Sequence, residues 1–404
     1  MKDIFDPRSY GAVADGHSKD TVAVQRGAID AAAAQGGTVR LAGGTFVCGT
    51  LYLKSNVALE ITNSATLLAS PDIADYGTDT HHNRYRNEPE MDRCFLFAQD
   101  AENVTICGSG VIDGNAAAFP NAGSIYRPML LRVLRCRNVR VQNLRLLNAA
   151  AWTTAFLDSD FIWATDLHIE NHRNYNGDGL DFDGCRHVWV RGCYIDGTDD
   201  NLCLQSSGLP VQDVHISDCA FTSVCAGIRI GLKSIGEISG VVISNCTMRN
   251  IWREGIKLEC TEGGSITDIL VENVTMHNVR RPIFAILNNR YRPDDLGSSV
   301  ELDHIPPIGT MARLRFVGIT AVDDEGMAHA QRRFENDIMG EPRFGGCRFD
   351  ANAAHPIEDV TIRDFWYTAI GGVRLADLPA APYPEVPDRL QAPTAPGSEN
   401  YYPN

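Results

Sequence analysis

A spacing of apolar residues recurs along the chain and limits its fold more than any other feature. In Val188-Trp-Val190-Arg-Gly-Cys193-Tyr-Ile195 apolar side chains fall at offsets 0, 2, 5 and 7. The pattern returns in Val214, Ile216, Cys219, Phe221 and in Val241, Ile243, Cys246, Met248. Upstream it is met in Val139, Val141, Leu144, Leu146 and in Ile162, Ala164, Leu167, Ile169. Downstream come Ile269, Val271, Val274, Met276 and, more distantly, Val360, Ile362, Phe365, Tyr367. The starts at 139, 162, 188, 214, 241 and 269 lie 23 to 28 residues apart.

A step of two residues is the side-chain period of a strand, and the change of phase before offset 5 marks a sharp turn between two short strands. A unit of about 26 residues is too short for a propeller blade, and it has neither a leucine-rich pattern nor a helix-period stretch. The expectation is therefore an all-β fold, a single-stranded right-handed parallel β-helix of about ten coils, forming one domain over residues 1–404. In that fold equivalent residues stack at roughly 4.8 Å, which puts Leu144, Leu167, Cys193, Cys219, Cys246 and Val274 in one internal column. The 12 cysteines lack CxxC or Cys/His metal spacing, so the central ones read as small buried hydrophobes rather than redox or zinc residues.

A solenoid needs its open ends covered. The stretch TVAVQRGAIDAAAA, residues 21–34, is the best helix candidate, opened by capping-type residues and closed by Gly36-Gly37. It is expected to plug the first coil, while residues 379–404, rich in Pro, Ala and Tyr, are expected to run irregularly outside. The net charge of −15 argues against a nucleic-acid partner or an anionic membrane surface. No apolar run reaches the roughly 20 residues of a transmembrane helix. The start, Met1 to Pro7, lacks the apolar region of a secretion signal, so a cytoplasmic protein is expected unless a signal was removed.

Aligning the strand that follows each copy sets Leu180/Phe182, Leu202/Leu204, Ile228/Ile230 and Ile256/Leu258 in register, and the flanking polar residues then form columns. One reads Asp178, Asp200, Ala226, Glu254; the position before it reads Gly177, Asp199, Cys225, Arg253; a third reads Asp181, Cys203, Arg229, Lys257. Asp178, Asp199 and Asp200 thus gather on two adjacent coils. Like charges one coil apart raise the pKa of at least one member, and carboxylates in unlike environments divide into an acid and a base. A calcium site or a solvated turn is the alternative for these residues. Arg229 and Lys257 suit a clamp on an anionic or polyhydroxylated ligand, or are plain surface charges. Arg253 and Glu254, in the same columns, are further candidates for substrate contact.

Asn176-Gly-Asp178-Gly-Leu-Asp181, Asp199-Asp200 and Gly255-Ile256-Lys257 resemble the NTDG, DD and RIK signatures of the polygalacturonases, glycoside hydrolase family 28. Tyr10 to Gly16, Gly49 to Asn56, Ile112-Asp-Gly114, Arg127-Pro128, Ala151-Trp152 and His355 to Val360 are also similar to family segments. The resemblance implies a parallel β-helix that hydrolyses pectic polysaccharides with inversion and without a cofactor. It further implies that Asp199 is the general acid, that Asp178 and Asp200 hold and deprotonate the water, and that Asn176 and Lys257 serve the substrate. Inversion needs acid and base roughly 6.5–9.5 Å apart, a span available to neighbouring coils. The chain departs from the pattern at Ala226, where the family has the histidine of Gly-His-Gly, and at Gly255, where it has arginine. Both losses fall on residues tied to galacturonate, so the expected substrate is an oligo- or polysaccharide other than plain polygalacturonate, with Arg229 standing in for the missing arginine.

Arg290 and Tyr291 offer a donor and an aromatic face one coil onward, or form a polar loop. The run Thr80-His-His-Asn-Arg-Tyr85 shows no third metal ligand and reads as a loop at one end of the groove. Two rivals remain on sequence alone. A uronate lyase or epimerase would need a base beside a cation that neutralises the uronate, and a non-catalytic glycan-binding β-helix would have no use for three adjacent aspartates.

Overall fold

The computed structural model describes residues 3–80, 93–121, 126–288, 306–323 and 346–369. The chain divides into two compact units, the first ending at Thr198 and the second resuming at Asp199.

The first unit is a stack of parallel rungs. Strands Gly37–Leu41, Val57–Ile61, Glu102–Gly108, Arg137–Gln142, Asp160–Thr165 and Arg186–Arg191 pair each with the next. The second unit repeats the arrangement with Val211–Ser217, Glu237–Ser244, Ser265–Leu287, Thr310–Asp323 and Glu358–Ala369. In it Ile216 faces Ile243, then Val271, Phe316 and Ile362. This is the right-handed parallel β-helix expected from the ladder. Leu314, Phe316, Ile319 and Ala321 are a further copy of the template between those starting at 269 and 360.

The change of phase inside each copy has a backbone cause. Residues one before and four after each start take a left-handed conformation: Asn138 and Asn143 (φ 57° and 57°), Asp213 and Asp218 (56° and 57°), Asp268 and Asn273 (58° and 53°). Asn and Asp accept this region more readily than other side-chain-bearing residues, and each such residue turns the strand. Side-chain amides then stack from rung to rung, as in the 2.6 Å bond from Asn273 Nδ2 to Asn245 Oδ1.

Turn-to-turn bonds confirm the internal column within each unit. His168 N–H donates to Leu144 O and Tyr194 N–H to Leu167 O, each at 2.9 Å; Thr247 N–H donates to Cys219 O at 2.9 Å and Thr275 N–H to Cys246 O at 3.0 Å. Cys193, Cys219 and Cys246 are buried, and none of the 12 cysteines forms a disulfide.

The N-terminal helix is present with a different geometry from that expected. Ala23–Ile29 is a wide π-helix, followed by a single α turn, Asp30–Ala33. Gly27 lies hard against Tyr10, where a Cβ would stand 2.2 Å from the Tyr10 Cβ. Asp20 does not cap the helix with its side chain: its carboxylate accepts from Val13 N and Ala14 N at 2.7 and 3.1 Å. Val24, Ala28 and Ile29 are fully buried, and Gln25 bonds both backbone groups of Tyr52, so the helix closes onto the early rungs. Residues 379–404 lie outside the described residues.

Candidate active site

In the second unit successive side chains of the strands Leu202–Ser206, Ile228–Ser234 and Thr247–Cys260 point to opposite faces, and most of both faces is buried. Ile228, Ile230, Ile256 and Leu258 are fully buried in the core. Arg229, Lys257 and Glu259 alternate with them on the opposite face. Cys203 stands beside Arg229 and Arg229 beside Lys257, as the alignment required, and Phe284 follows Lys257 on the next rung. Asn201 N–H donates to Ala226 O and Gly227 N–H to Glu254 O, which places the two column positions before each strand in step.

Asp199 and Asp200 form a turn that is fixed from several sides. Ser223 Oγ donates to Asp199 O at 2.5 Å and accepts from Cys225 N–H at 2.8 Å. Asn201, fully buried, donates to Thr222 O at 2.7 Å. Within this turn the two carboxylates differ. Asp200 is 1% exposed; its Oδ2 accepts from Arg229 Nη1 at 2.7 Å, and its Oδ1 accepts from the Cys225 thiol at 3.3 Å. Asp199 is half-buried and keeps contact with solvent.

These surroundings separate the two acidities. Burial, and next the negative charge on Asp200, push Asp199 up to about 6. Burial also works to raise Asp200, but the positive charges of Arg229 and Lys257 outweigh it and hold Asp200 below the usual carboxylate range. At near-neutral pH one carboxyl can therefore carry a proton beside one that stays ionised.

Beneath this pair lies a buried ionic layer. Glu254 and Glu259 are both fully buried. Glu254 accepts from Arg281 Nη1 at 2.8 Å and lies 3.6 Å from both Arg253 Nε and Lys257 Nζ. Glu259 accepts from Arg229 Nε at 2.6 Å and stands 3.4 Å from Lys257 Nζ. Arg253, Glu254, Arg229 and Lys257 are thus brought together, and Glu259 and Arg281 join them although the sequence reading did not single them out. Both could have been found by extending the columns one coil and one alternation further: Arg281 follows Glu254 in register, and Glu259 shares the face of Lys257.

The departures from the family motifs are built into the packing. Ala226 is fully buried. A Cβ on Gly255 would fall 2.9 Å from both Met276 Sδ and Pro282 O, so no side chain fits there without rearrangement. Asp199, Asp200 and Cys225 bring donor atoms within 4.8 Å of one another, a spacing at which a cation can be held. Their chemistry does not suit a hard cation: burial raises the Cys225 thiol so that it keeps its proton, and Asp200 is already held by Arg229.

In the first unit Asn176 and Asp178 lie on a tightly held loop. The fully buried Arg127 donates to Asn121 O, Tyr175 O and Asn176 Oδ1 at 2.9, 2.5 and 2.8 Å. Gly177 N–H donates to Thr198 Oγ1 at 3.0 Å, and a Cβ on Gly177 would strike that oxygen. Thr153 holds Asp178 O through its hydroxyl at 2.6 Å and its N–H at 2.9 Å. Asp178 is 5% exposed. Arg290 and Tyr291, and His81 to Tyr85, lie outside the described residues.

Comparison with known proteins bears on the same stretch of chain. A probable polygalacturonase of Vitis vinifera is 26% identical over 262 residues, 57% of this chain and 52% of its own length. An exo-poly-alpha-D-galacturonosidase of Dickeya chrysanthemi is 25% identical over 49% of this chain and 41% of its own length. The chain thus spans about half or less of the length of these curated relatives. In fold it is similar to an exopolygalacturonase from Thermotoga maritima, with a TM-score of 0.72 at 20% identity over 91% of this chain and 87% of that one. It is also similar to an endo-xylogalacturonan hydrolase from Aspergillus tubingensis, with a TM-score of 0.64 at 17% identity over 92% and 94%. Residues 44–301, more than half of the chain and including all three aspartates, match the family model of glycosyl hydrolases family 28, and the chain belongs to that family.

Proposed function

We propose that this chain is an inverting glycoside hydrolase that cleaves a pectin-like glycan other than plain polygalacturonate. The observation that carries the reading is the unequal pair: Asp199 pushed up to about 6 and partly exposed, Asp200 buried and held ionised. A general acid works best when its pKa lies near the working pH, and Asp199 meets that requirement. It would protonate the glycosidic oxygen as the bond to the leaving sugar breaks. Asp200, and Asp178 by its match to the family motif, would take a proton from the attacking water. Arg253, whose side chain is 12% exposed, is a candidate for contact with the sugar.

The relatives named for polygalacturonate support a pectic backbone, and the one named for xylogalacturonan supports a decorated one. Ala226 and Gly255, at the positions where the family binds or assists galacturonate, favour a substrate other than the unsubstituted polymer. The test is a panel of homogalacturonan, xylogalacturonan, rhamnogalacturonan and neutral oligosaccharides, with the first-formed anomer read by proton NMR. Release of the inverted anomer from a substituted or mixed backbone supports the reading. Products with an unsaturated, ultraviolet-absorbing end would replace it with a lyase.

A further inference from the structure

Arg229 joins two carboxylates of different standing. Its Nη1 donates to Asp200 Oδ2 at 2.7 Å, and its Nε donates to Glu259 Oε2 at 2.6 Å. Glu259 is fully buried on the next rung and cannot touch a ligand. It stands opposite Gly231, where a Cβ would lie 2.1 Å from Glu259 O and 3.1 Å from its Cβ. Gly231 takes a φ of +101°, in the region that disfavours other residues. A bare glycine on one rung thus makes room for a glutamate on the following one, and that glutamate grips the arginine.

A substrate clamp would keep the fork of its guanidinium directed at the groove. Here two of its nitrogens are engaged by protein carboxylates, and the side chain is 18% exposed. A planar fork serves two carboxylates at once in fixed geometry, which a lysine ammonium on a flexible stem does not reproduce. Lys257, 3.4 Å from Glu259 and 3% exposed, offsets the remaining charge on that glutamate.

We propose that Arg229 is a positioning residue: Glu259 clamps it so that its guanidinium fixes the Asp200 carboxylate, and it does not bind the sugar. The kinetic consequence rests on the hydrolase reading, whereas the clamp itself does not.

The test uses Arg229→Lys, Arg229→Gln and Glu259→Gln in the full chain, each first shown to melt cooperatively with native circular dichroism. On whichever glycan the unmodified protein cleaves, all three should lower kcat by about 10- to 100-fold with KM within about two-fold. Glu259→Gln, though buried, should follow the same direction as the arginine variants. Carboxyl carbon NMR supplies a readout that needs no turnover: in Arg229→Gln the Asp200 titration should move to higher pH and carry that of Asp199 upward with it. A KM raised about ten-fold with kcat unchanged would make Arg229 a sugar ligand and overturn the proposal. An Asp200 titration that does not move in Arg229→Gln would overturn it equally. If the unmodified protein cleaves no glycan in the panel, the hydrolase reading falls and the titration alone decides the clamp.

Discussion

Asp199 Oδ1 accepts the backbone N–H of Asp200 at 2.9 Å, so each residue of the pair orients the other. The bond fixes one Asp199 oxygen. It also keeps the Asp199 carboxyl close to the Asp200 charge, which, after burial, is the second force raising its pKa.

Asp199→Asn is expected to lower kcat by about 10³-fold with little change in KM, because the amide preserves the hydrogen bond and removes only the transferable proton. The loss should be smaller for an aryl glycoside whose leaving group needs no protonation. In the unmodified protein kcat should fall as pH rises through about 6, where Asp199 gives up its proton. Steady-state kinetics between pH 4 and 8 on both substrates check this. An unchanged alkaline limb in the variant would remove Asp199 from the acid role.

The two aspartates should act on stability with opposite signs. Asp199 is raised in the fold, so the folded state binds its proton more tightly than the unfolded chain does, and stability is lost as pH rises through about 6. Asp199→Asn should therefore be more stable than the parent at pH 8 by about 1–3 kcal/mol, the difference shrinking toward pH 4. Asp200 is lowered, so its contribution is present above the unfolded value near 3.8 and is lost as pH falls through the folded one. Asp200→Asn should cost about 2 kcal/mol at pH 7, since it weakens a charged bond to Arg229. Thermal melts of both variants across pH 4–8 provide the comparison.

How far each part of this arrangement was legible follows from its physics. The ladder could be read because every turn needs a left-handed residue at a fixed place, and that need sets the spacing of the apolar positions between the turns. The Arg229 and Lys257 column followed from strand alternation alone. The copy at Leu314 is not legible in the regular interval, because 45 residues separate it from the copy at Ile269. Asp20, directly before residues 21–34, has the residue type of a helix cap, yet its carboxylate is taken by the nearer N–H groups of Val13 and Ala14. Glu259 carries no motif; its role depends on the empty space at Gly231 one rung earlier, which only the paired register reveals.

The cysteine column makes a prediction about reactivity. Desolvation raises the thiols of Cys48, Cys94, Cys225 and Cys260, and Cys193, Cys219 and Cys246 are buried. Cys347 is the exposed one of the 12; desolvation pushes its thiol up too, to about 11, but its exposure leaves it open to reagent. Maleimide should therefore label Cys347 first in the native protein, and peptide mapping should find the column residues modified only after unfolding. Cys246→Ala should cost about 1–2 kcal/mol and leave activity intact, as expected for core filling. Labelling of Cys219 or Cys246 in the native state would contradict the inward register on which the site also depends.

Glu254 gives the most severe test of the ionic layer. It is fully buried and faces three cations: Arg281 at 2.8 Å, with Arg253 and Lys257 at 3.6 Å. Burial alone would raise its pKa, yet the charges of Arg253, Lys257 and Arg281 outweigh that and hold it below the usual value. Removing one partner of a buried ionic group leaves the others uncompensated and costs about 3–5 kcal/mol. Glu254→Gln retains the shape and one acceptor oxygen but loses the charge, so it should lie in that range at pH 7. The gap between variant and parent should narrow as pH falls below about 4.5, where the carboxylate of the unfolded parent gains its proton. Chemical denaturation at pH 7 and pH 4 measures both values. A loss below about 1 kcal/mol at pH 7, joined to a KM raised on the glycan that is cleaved, would instead place Glu254 at the sugar and remove it from the supporting layer.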